Sequence, residues 1–339
     1  MNTFEENHIN LNDKVILITG GTGSFGREFT KLILNEYKPK KLIIFSRDEM
    51  KQYEMAQNYP IHIFPCIRYF IGDVRDVDRL EMAMRGVDYV IHAAALKHVP
   101  TAEYNPFECI NTNVYGAENV VKAAIRNNVK KVIALSTDKA ANPVNLYGAS
   151  KLASDKIFIA ANNLSGENGV LFSVVRYGNV ISSRGSVIPL FRKLIDSGQT
   201  CLPITDERMT RFWISLEQGV NFVLSSISVM KGGEIFVPKI PSMRIIDIAN
   251  HMLPNVQHEV IGIRPGEKLH EVLITEDDGR STYELDDRYI IESSLNQAEI
   301  EEGIYRNASK VKDGFYYDSK SNKDWITKDE FIKFLTPLE

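Results

Sequence analysis

The chain has 339 residues, 44% of them hydrophobic and 25% charged, enough to bury a full core as one large domain or two interleaved ones. Its net charge of -4 comes with Lys and Arg scattered along the chain, which argues against a nucleic-acid surface and for a small-molecule ligand. Cys66, Cys109 and Cys201 stand far apart with neither disulfide nor metal-ligand spacing, so no metal site is expected, a reducing compartment fits, and the three read as buried packing residues.

The opening MNTFEENHINLNDK is polar and mixed in charge, and no later apolar run is long enough to cross a bilayer, so a soluble, cytoplasmic protein is expected. From Lys14 short apolar runs alternate with helical segments: VILIT, FGREFTKLILNEY, KLIIF, a polar helix, RYFIGD, DYVIHAAA, AENVVKAAI, KKVIALST, a helix after Tyr147, and FSVVRYGNV. Continuous apolar strands separated by 3.6-period helices predict a parallel sheet covered on both faces. The expected fold class is therefore α/β, a Rossmann-type doubly wound parallel sheet with a smaller, interleaved C-terminal substrate lobe.

After Val180 the regularity breaks, through SSRGSVIPL and LPITDERMTRFW. The helix LEQGVNFVLSSI and the strand EIFVP are expected to return to the sheet, and EVIGIRPGEKLHEVLI to open a smaller lobe that ends on a capping box, Thr327 to Glu330. The resulting map gives residues 1–180 to a dinucleotide-binding domain, with 211–250 returning to it, and 181–210 and 251–339 to a substrate-binding lobe.

The first strand runs straight into GGTGSFG, where Gly20, Gly23 and Gly26 precede an amphipathic helix. Glycines allow a tight turn and the close approach of a pyrophosphate to backbone amides at a helix N-terminus. Thr22, Ser24 and Phe25 fill the same turn. The second strand ends on Ser46 and Arg47, where an NAD-specific site usually places an acid, and Lys51 follows one turn later. A hydroxyl with two cations suits a 2'-phosphate, so NADP is the expected cofactor. Asp73, beside Val74, reads as an acceptor for the adenine amino group or as a helix cap, with Asp76 the better cap. Ala93, Ala94 and Ala95 supply small residues where a flat cofactor lies on a strand end, and His92 reads as packing.

KKVIALST delivers Ser136, Thr137, Asp138 and Lys139 at the carboxyl end of a strand, the ligand side of such sheets. Tyr147 and Lys151 follow at i and i+4 on one helix face. A nearby ammonium favours phenolate, so Tyr147 is expected to take a proton from a substrate alcohol as hydride leaves, with Lys151 holding ribose hydroxyls. Oxidation to a ketone acidifies the neighbouring C–H. Elimination of water then needs its own acid and base, and Asp138, with a raised pKa, and Lys139, with a depressed one, are placed for those roles.

Glycine loop, strand-end Ser-Thr and YxxxK together resemble the extended short-chain dehydrogenase/reductase superfamily, which implies a catalytic set of Thr137, or Ser136, with Tyr147 and Lys151. GGTGSFG, FSRDE, GDVRD, HAAALKHVP, STDKAANPVNLYGASK, RYGNV, LPITDERMTRFWIS and RPGEKLHE narrow the resemblance to the inverting UDP-N-acetylglucosamine 4,6-dehydratases of pseudaminic acid biosynthesis, from about Val15 to Glu271. Retaining dehydratases carry Asp-Glu where this chain has Asp138-Lys139, and capsule-synthesis relatives carry Met where it has Tyr147.

The resemblance implies transfer of the C4 hydride to NADP+, loss of water across C5 and C6, return of hydride to C6, and C5 reprotonation on the opposite face by Lys139, Tyr147 or water. It further implies a UDP-sugar substrate near Lys97 and His98, with Asn179 and Arg211 toward the diphosphate and uridine, and Arg264, Glu267 and Lys268 closing from the lobe. It also implies a homo-oligomer, often a hexamer. The competing readings are a nucleotide-sugar 4-epimerase, which has no use for Asp138 and Lys139 as a pair, and a non-catalytic NADP-sensing protein.

Overall fold

The computed structural model describes residues 2–335, apart from 7, 167–168, 182–185, 255–256, 293–304 and 306. The first half alternates strand and helix: β1 (Val15–Thr19), α1 (Ser24–Glu36), β2 (Lys41–Ser46), α2 (Glu49–Asn58), β3 (Ile67–Ile71), α3 (Val77–Ala83) and β4 (Tyr89–His92). Two short helices, α4 (Val99–Tyr104) and α5 (Pro106–Ile110), lead through a wide turn over Asn111–Tyr115 into α6 (Gly116–Arg126). β5 (Lys131–Thr137), α7 (Leu146–Ser165) and β6 (Leu171–Tyr177) complete this half. Every residue of VILIT and YVIH is buried, as the apolar runs require of strands covered on both faces. Asp48 and Asp76 cap α2 and α3 by accepting the amides of Lys51 and Arg79.

The second half is less regular: β7 (Asn179–Val180), α8 (Val187–Asp196), β8 (Cys201–Ile204), β9 (Thr210–Ile214), α9 (Leu216–Val229), β10 (Ile235–Pro238), β11 (Ser242–Arg244) and α10 (Ile245–Met252). Then come β12 (Gln257–Val260), β13 (Val272–Ile274), α11 (Glu276–Gly279), β14 (Thr282–Glu284), β15 (Arg288–Ile291), β16 (Ser309–Lys310) and β17 (Tyr317–Asp318). A last helix, Lys328–Leu335, starts on the expected reciprocal bonds between Thr327 and Glu330.

The main sheet has the order β16-β14-β15-β10-β6-β5-β4-β1-β2-β3. From β10 to β3 all pairs are parallel, and the order changes direction between β1 and β4, where a crevice opens at the strand ends. β15, β14 and β16 extend the sheet antiparallel.

The domain map needs two corrections. Residues 282–291 and 309–310, assigned to the lobe, belong to the main sheet, because the apolar RYII run of β15 covers the open edge of β10. Within 211–250, α9 and β10 do return, but β9, β11 and α10 do not: β9 joins β7 and β11 in a separate three-stranded sheet. Alternation along β9 explains the split. Phe212 and Ile214 enter the main core, while Trp213 enters a second core with Phe191, Met243, Ile248 and Phe331.

Two smaller expectations also change. Cys109 is buried, but Cys66 and Cys201 are only partly covered. The polar N-terminal stretch holds two buried anchors, Leu11 and Phe4, the latter edge-on to Phe222 with ring centroids 5.1 Å apart. Among the described residues no helix is long and apolar enough to cross a membrane.

The first turn depends on close backbone packing. A Cβ on Gly26 would lie 2.3 Å from the Gly21 carbonyl oxygen, whereas one on Gly219, inside α9, meets nothing within 4 Å. Gly26→Ala is expected to lower stability by about 1–3 kcal/mol, and Gly219→Ala to raise it by about 0.5–1 kcal/mol. Denaturant midpoints check both.

Candidate active site

A cleft of about 1140 Å³ lies at the carboxyl ends of the parallel strands, closed by the lobe. All the residues expected to bind or react line it except Asp138, which is fully buried behind Thr137 and Lys139.

The cofactor end is cut for a dinucleotide. Gly20 has φ +66°, and a Cβ there would sit 2.9 Å from the Ala94 Cα, so this contact between β1 and the end of β4 admits only glycine. Gly23 at the N-cap of α1 offers no side-chain cap, and the first turn holds no acid, so its amides remain available to a pyrophosphate. The Thr19 hydroxyl accepts the amides of Ala93 and Ala94 at 3.2 Å and lies 2.9 Å from Nδ1 of His92. Having accepted twice, it donates its proton, which leaves His92 neutral and protonated at Nε2. Neither Thr19 nor this clip had a sequence signal beyond the strand-end threonine itself.

Ser46 is buried and its hydroxyl accepts from Thr22 and Gln52, which leaves its own proton to donate. Arg47 is mostly exposed, 3.8 Å from Asp73, and Lys51 lies 2.8 Å from its cap Asp48. Asp73 lines the cleft as an ionised acceptor. Burial would raise its pKa, but hydrogen bonds from the Arg75 backbone and guanidinium, with Arg47 near, outweigh it and hold the carboxyl low.

At the reacting end β5 turns sharply. Thr137 accepts the Lys139 amide and donates to Asp138 at 2.9 Å. Asn145 caps α7 through the Gly148 amide at 2.7 Å and reaches the lobe at the Gly266 carbonyl, also 2.7 Å. A Cβ on Gly148 would lie 2.2 Å from the Lys139 carbonyl oxygen, so α7 docks on the Asp138 turn with no room for a side chain. That contact sets Tyr147 in the cleft wall with Thr137, whose hydroxyl helps oppose the rise in the phenol's pKa. Tyr147, Lys151 and Asp155 then repeat along one buried face. Asp155, which no motif singled out, accepts from Ser136 at 2.7 Å and lies 3.6 Å from buried Arg176.

The charges correct two expectations. Burial disfavours the Lys139 ammonium, but Asp138 at 3.0 Å and Glu271 at 3.2 Å outweigh it and raise its pKa rather than depress it. Tyr147 is pushed up to about 12 by burial, and the cation that counteracts this is Lys139, not Lys151. Asp138 behaves as expected: burial raises its pKa, with the Glu271 charge adding to the rise and Lys139 opposing it. Lys151 is lowered by burial, with Asp155 compensating. Glu271 stands at the end of RPGEKLHE and escaped notice because two of its partners, Lys139 and Arg211, come from distant segments.

From the lobe side, Arg211 departs from its expected place toward the diphosphate. Its guanidinium is buried, donates to the carbonyls of Thr210, Leu269 and Lys268, and lies 3.7 Å from Glu271. Lys268 donates to the Ala141 carbonyl and lies 3.8 Å from Glu271. Arg264, more than half exposed and 3.8 Å from Glu267, is the freer arginine. Asn179 approaches Lys139 at 3.4 Å, and Lys97 and exposed His98 face the cleft before α4. Among the described residues no cluster of His, Cys, Asp and Glu is placed to hold a metal.

Residues 16–293 match the family described as polysaccharide biosynthesis protein. The chain is 59% identical, over 97% of its length and 99% of the relative's, to an inverting UDP-N-acetylglucosamine 4,6-dehydratase of Campylobacter jejuni subsp. jejuni. It is 46% identical to a protein named UDP-glucose 4-epimerase of Rickettsia canadensis, over 82% of this chain and 83% of that one. The X-ray structure of Pen from Bacillus thuringiensis superposes with a TM-score of 0.87 at 39% identity, covering 96% of this chain and 98% of the other.

His92 makes the strand-end clip sensitive to acid. It is completely buried, and burial, helped by the Lys151 charge, pushes its pKa down to about 3. In the unfolded chain it titrates near 6.5. Between these values only the unfolded state takes up the proton, so stability is full above about pH 6.5 and falls on acidification, by on the order of 4 kcal/mol at pH 3. His92→Asn, which keeps an acceptor for Thr19, is expected to flatten the slope of unfolding free energy between pH 6 and 4.

Proposed function

Since the chain belongs to the polysaccharide biosynthesis protein family, in company with inverting UDP-N-acetylglucosamine 4,6-dehydratases, we propose that it is a hydro-lyase removing water from UDP-N-acetylglucosamine with inversion at C5. The product is UDP-2-acetamido-2,6-dideoxy-β-L-arabino-hex-4-ulose, a precursor for pseudaminic acid, formed in the cytoplasm by a homo-oligomer, a hexamer on the family resemblance. The observation that carries this reading is the pair of buried Asp138 and cleft-lining Lys139, 3.0 Å apart, beside Thr137 and Tyr147 on the cleft floor. A redox enzyme that only inverts an alcohol has no use for it.

When bound, NADP+ would supply a hydride acceptor for C4 and a hydride source for C6. The α1 amides would hold its pyrophosphate, Arg47, Lys51 and the Ser46 hydroxyl its 2'-phosphate, and Lys151 its ribose. Thr137 orients the C4 hydroxyl, and Tyr147 takes its proton, with the Lys139 charge stabilising the phenolate against the burial that raises its pKa. Asp138 protonates the departing C6 hydroxyl while Lys139, once neutral, removes the C5 proton. Arg264 and Lys268 approach the diphosphate, Asn179 the sugar nucleotide, and Lys97 and His98 the hexose. Arg211 orders the lobe from behind.

Incubation of the purified protein with UDP-N-acetylglucosamine in deuterated water should give a 4-keto-6-deoxy sugar carrying deuterium at C5 in the L-arabino configuration, read by NMR. A C4 epimer that remains a sugar alcohol would instead establish a 4-epimerase. Tyr147→Phe is expected to lower the C4 oxidation about 10²–10⁴-fold, whereas Lys139→Ala, which also removes the cation beside Tyr147, should keep NADP binding and reduce the cofactor more slowly on substrate addition but release no dehydrated product. Arg47→Ala should erode the preference for NADP over NAD; an unchanged ratio of binding affinities would remove the 2'-phosphate assignment.

A further inference from the structure

Glu271 precedes β13 and is pinned from behind, its amide donating to the Ser319 hydroxyl at 2.9 Å and its carbonyl accepting the Ser319 amide at 2.8 Å. Its side chain is only 2% exposed yet lines the cleft. One oxygen lies 3.2 Å from Lys139 and 3.7 Å from Arg211; the other lies 3.8 Å from Lys268 and accepts no hydrogen bond among the described residues. Among the described residues the charged groups facing it are thus three cations from three segments, with Asp138 across Lys139. Burying a carboxylate with an unbonded oxygen costs stability that an apolar residue would not. Such a cost asks for a role.

The Lys139 ammonium has three N–H bonds and three oxygens around it: Asp138 at 3.0 Å, Glu271 at 3.2 Å and Asn179 at 3.4 Å. In that state it is no base, and ionised Asp138 is no acid. Passing one proton from Lys139 to Asp138 creates both at once with no change in net charge. Two carboxylates compete for that proton. Arg211 and Lys268 flank Glu271, whereas the ion pairs of Asp138 are confined, among the described residues, to Lys139. The two environments push the carboxyl groups apart: burial raises Asp138, and although burial also acts on Glu271, its three cations win and lower it.

The geometry points to Glu271 as a positioning residue for the elimination: a fixed anion that keeps one proton on the Asp138–Lys139 pair and, clamped by Arg211 and Lys268, does not take that proton itself, which leaves Asp138 as the carboxylate to receive it. This rests on the dehydratase reading above. The Lys139 amine takes the C5 proton, and the C5–H electron pair becomes the C5=C6 double bond. The C6–O pair leaves with oxygen, which the Asp138 proton completes as water. The pair ends as ammonium and carboxylate, and one internal transfer reloads it. Glu271 gains and loses nothing.

The test compares kcat against pH for NADP-loaded wild type, Glu271→Gln, Glu271→Asp and Lys268→Met, with UDP-N-acetylglucosamine as substrate. The active pair holds one proton, so gain of a second sets the acid limb and loss of the one sets the alkaline limb, both macroscopic properties of the pair. An anion favours both protonated forms. Glu271→Gln should therefore move both limbs to lower pH by about 1–2 units, Glu271→Asp should restore them, and Lys268→Met should move them the other way. Cofactor reduction on substrate addition should survive in Glu271→Gln. A lower kcat with an unshifted profile in Glu271→Gln would overturn the proposal, and should that variant not fold, an unshifted Lys268→Met profile would do the same. Wild type that forms no 4-keto-6-deoxy sugar would overturn the dehydratase reading as well, a distinguishable failure.

Discussion

The ammonium of Lys139, gripped on the cleft floor by two carboxylates that water barely reaches, is the interaction around which the molecule is organised. Bringing such charges out of water is costly unless their geometry is fixed and every remaining donor is met. Each surrounding element supplies part of that fixation. The end of β5 aims Asp138 inward and ties it to Thr137, the absent side chain of Gly148 lets α7 press on the same turn, and the lobe lowers Glu271 from above with Arg211 and Lys268 attached.

The same reasoning extends along α7, whose polar face is buried rather than solvated. Tyr147 and Lys151 look into the cleft, while Asp155 one turn further sits over Ser136 and Arg176, and Arg176 continues to Asp278 in α11 at 3.0 Å. A chain of charge therefore runs from the cofactor side of the cleft through the main sheet to the C-terminal segment. It gives the long helix a fixed rotation, and with it a fixed aim for the phenol.

The parallel half of the fold was legible because both of its signals are local. Apolar runs such as VILIT have no exposed face to offer, and GGTGSFG needs its glycines whatever the rest of the chain does. The reacting residues were legible for the same reason, lying within the sixteen positions from Ser136 to Lys151. What escaped is non-local. Glu271 is an ordinary acid in a turn until Lys139, 132 positions earlier, folds against it. The inverted pKa of Lys139 follows from that encounter, and Arg211 reads as a phosphate ligand until three carbonyls are seen to occupy it. The late strands β14 to β16 were hidden because two- to four-residue segments carry too few alternations to declare a sheet.

β9 carries Phe212 and Ile214 on one side and Trp213 on the other, so consecutive side chains are rooted in different cores. A lobe joined in this way cannot swing like a jaw on a loose pin, since any rotation about the strand must unpack one core or the other. Tolerance for bulkier or differently decorated sugars is consequently governed by the size of the side chains on the cleft wall. A programme to broaden the enzyme's diet should trim those walls and leave the joint alone.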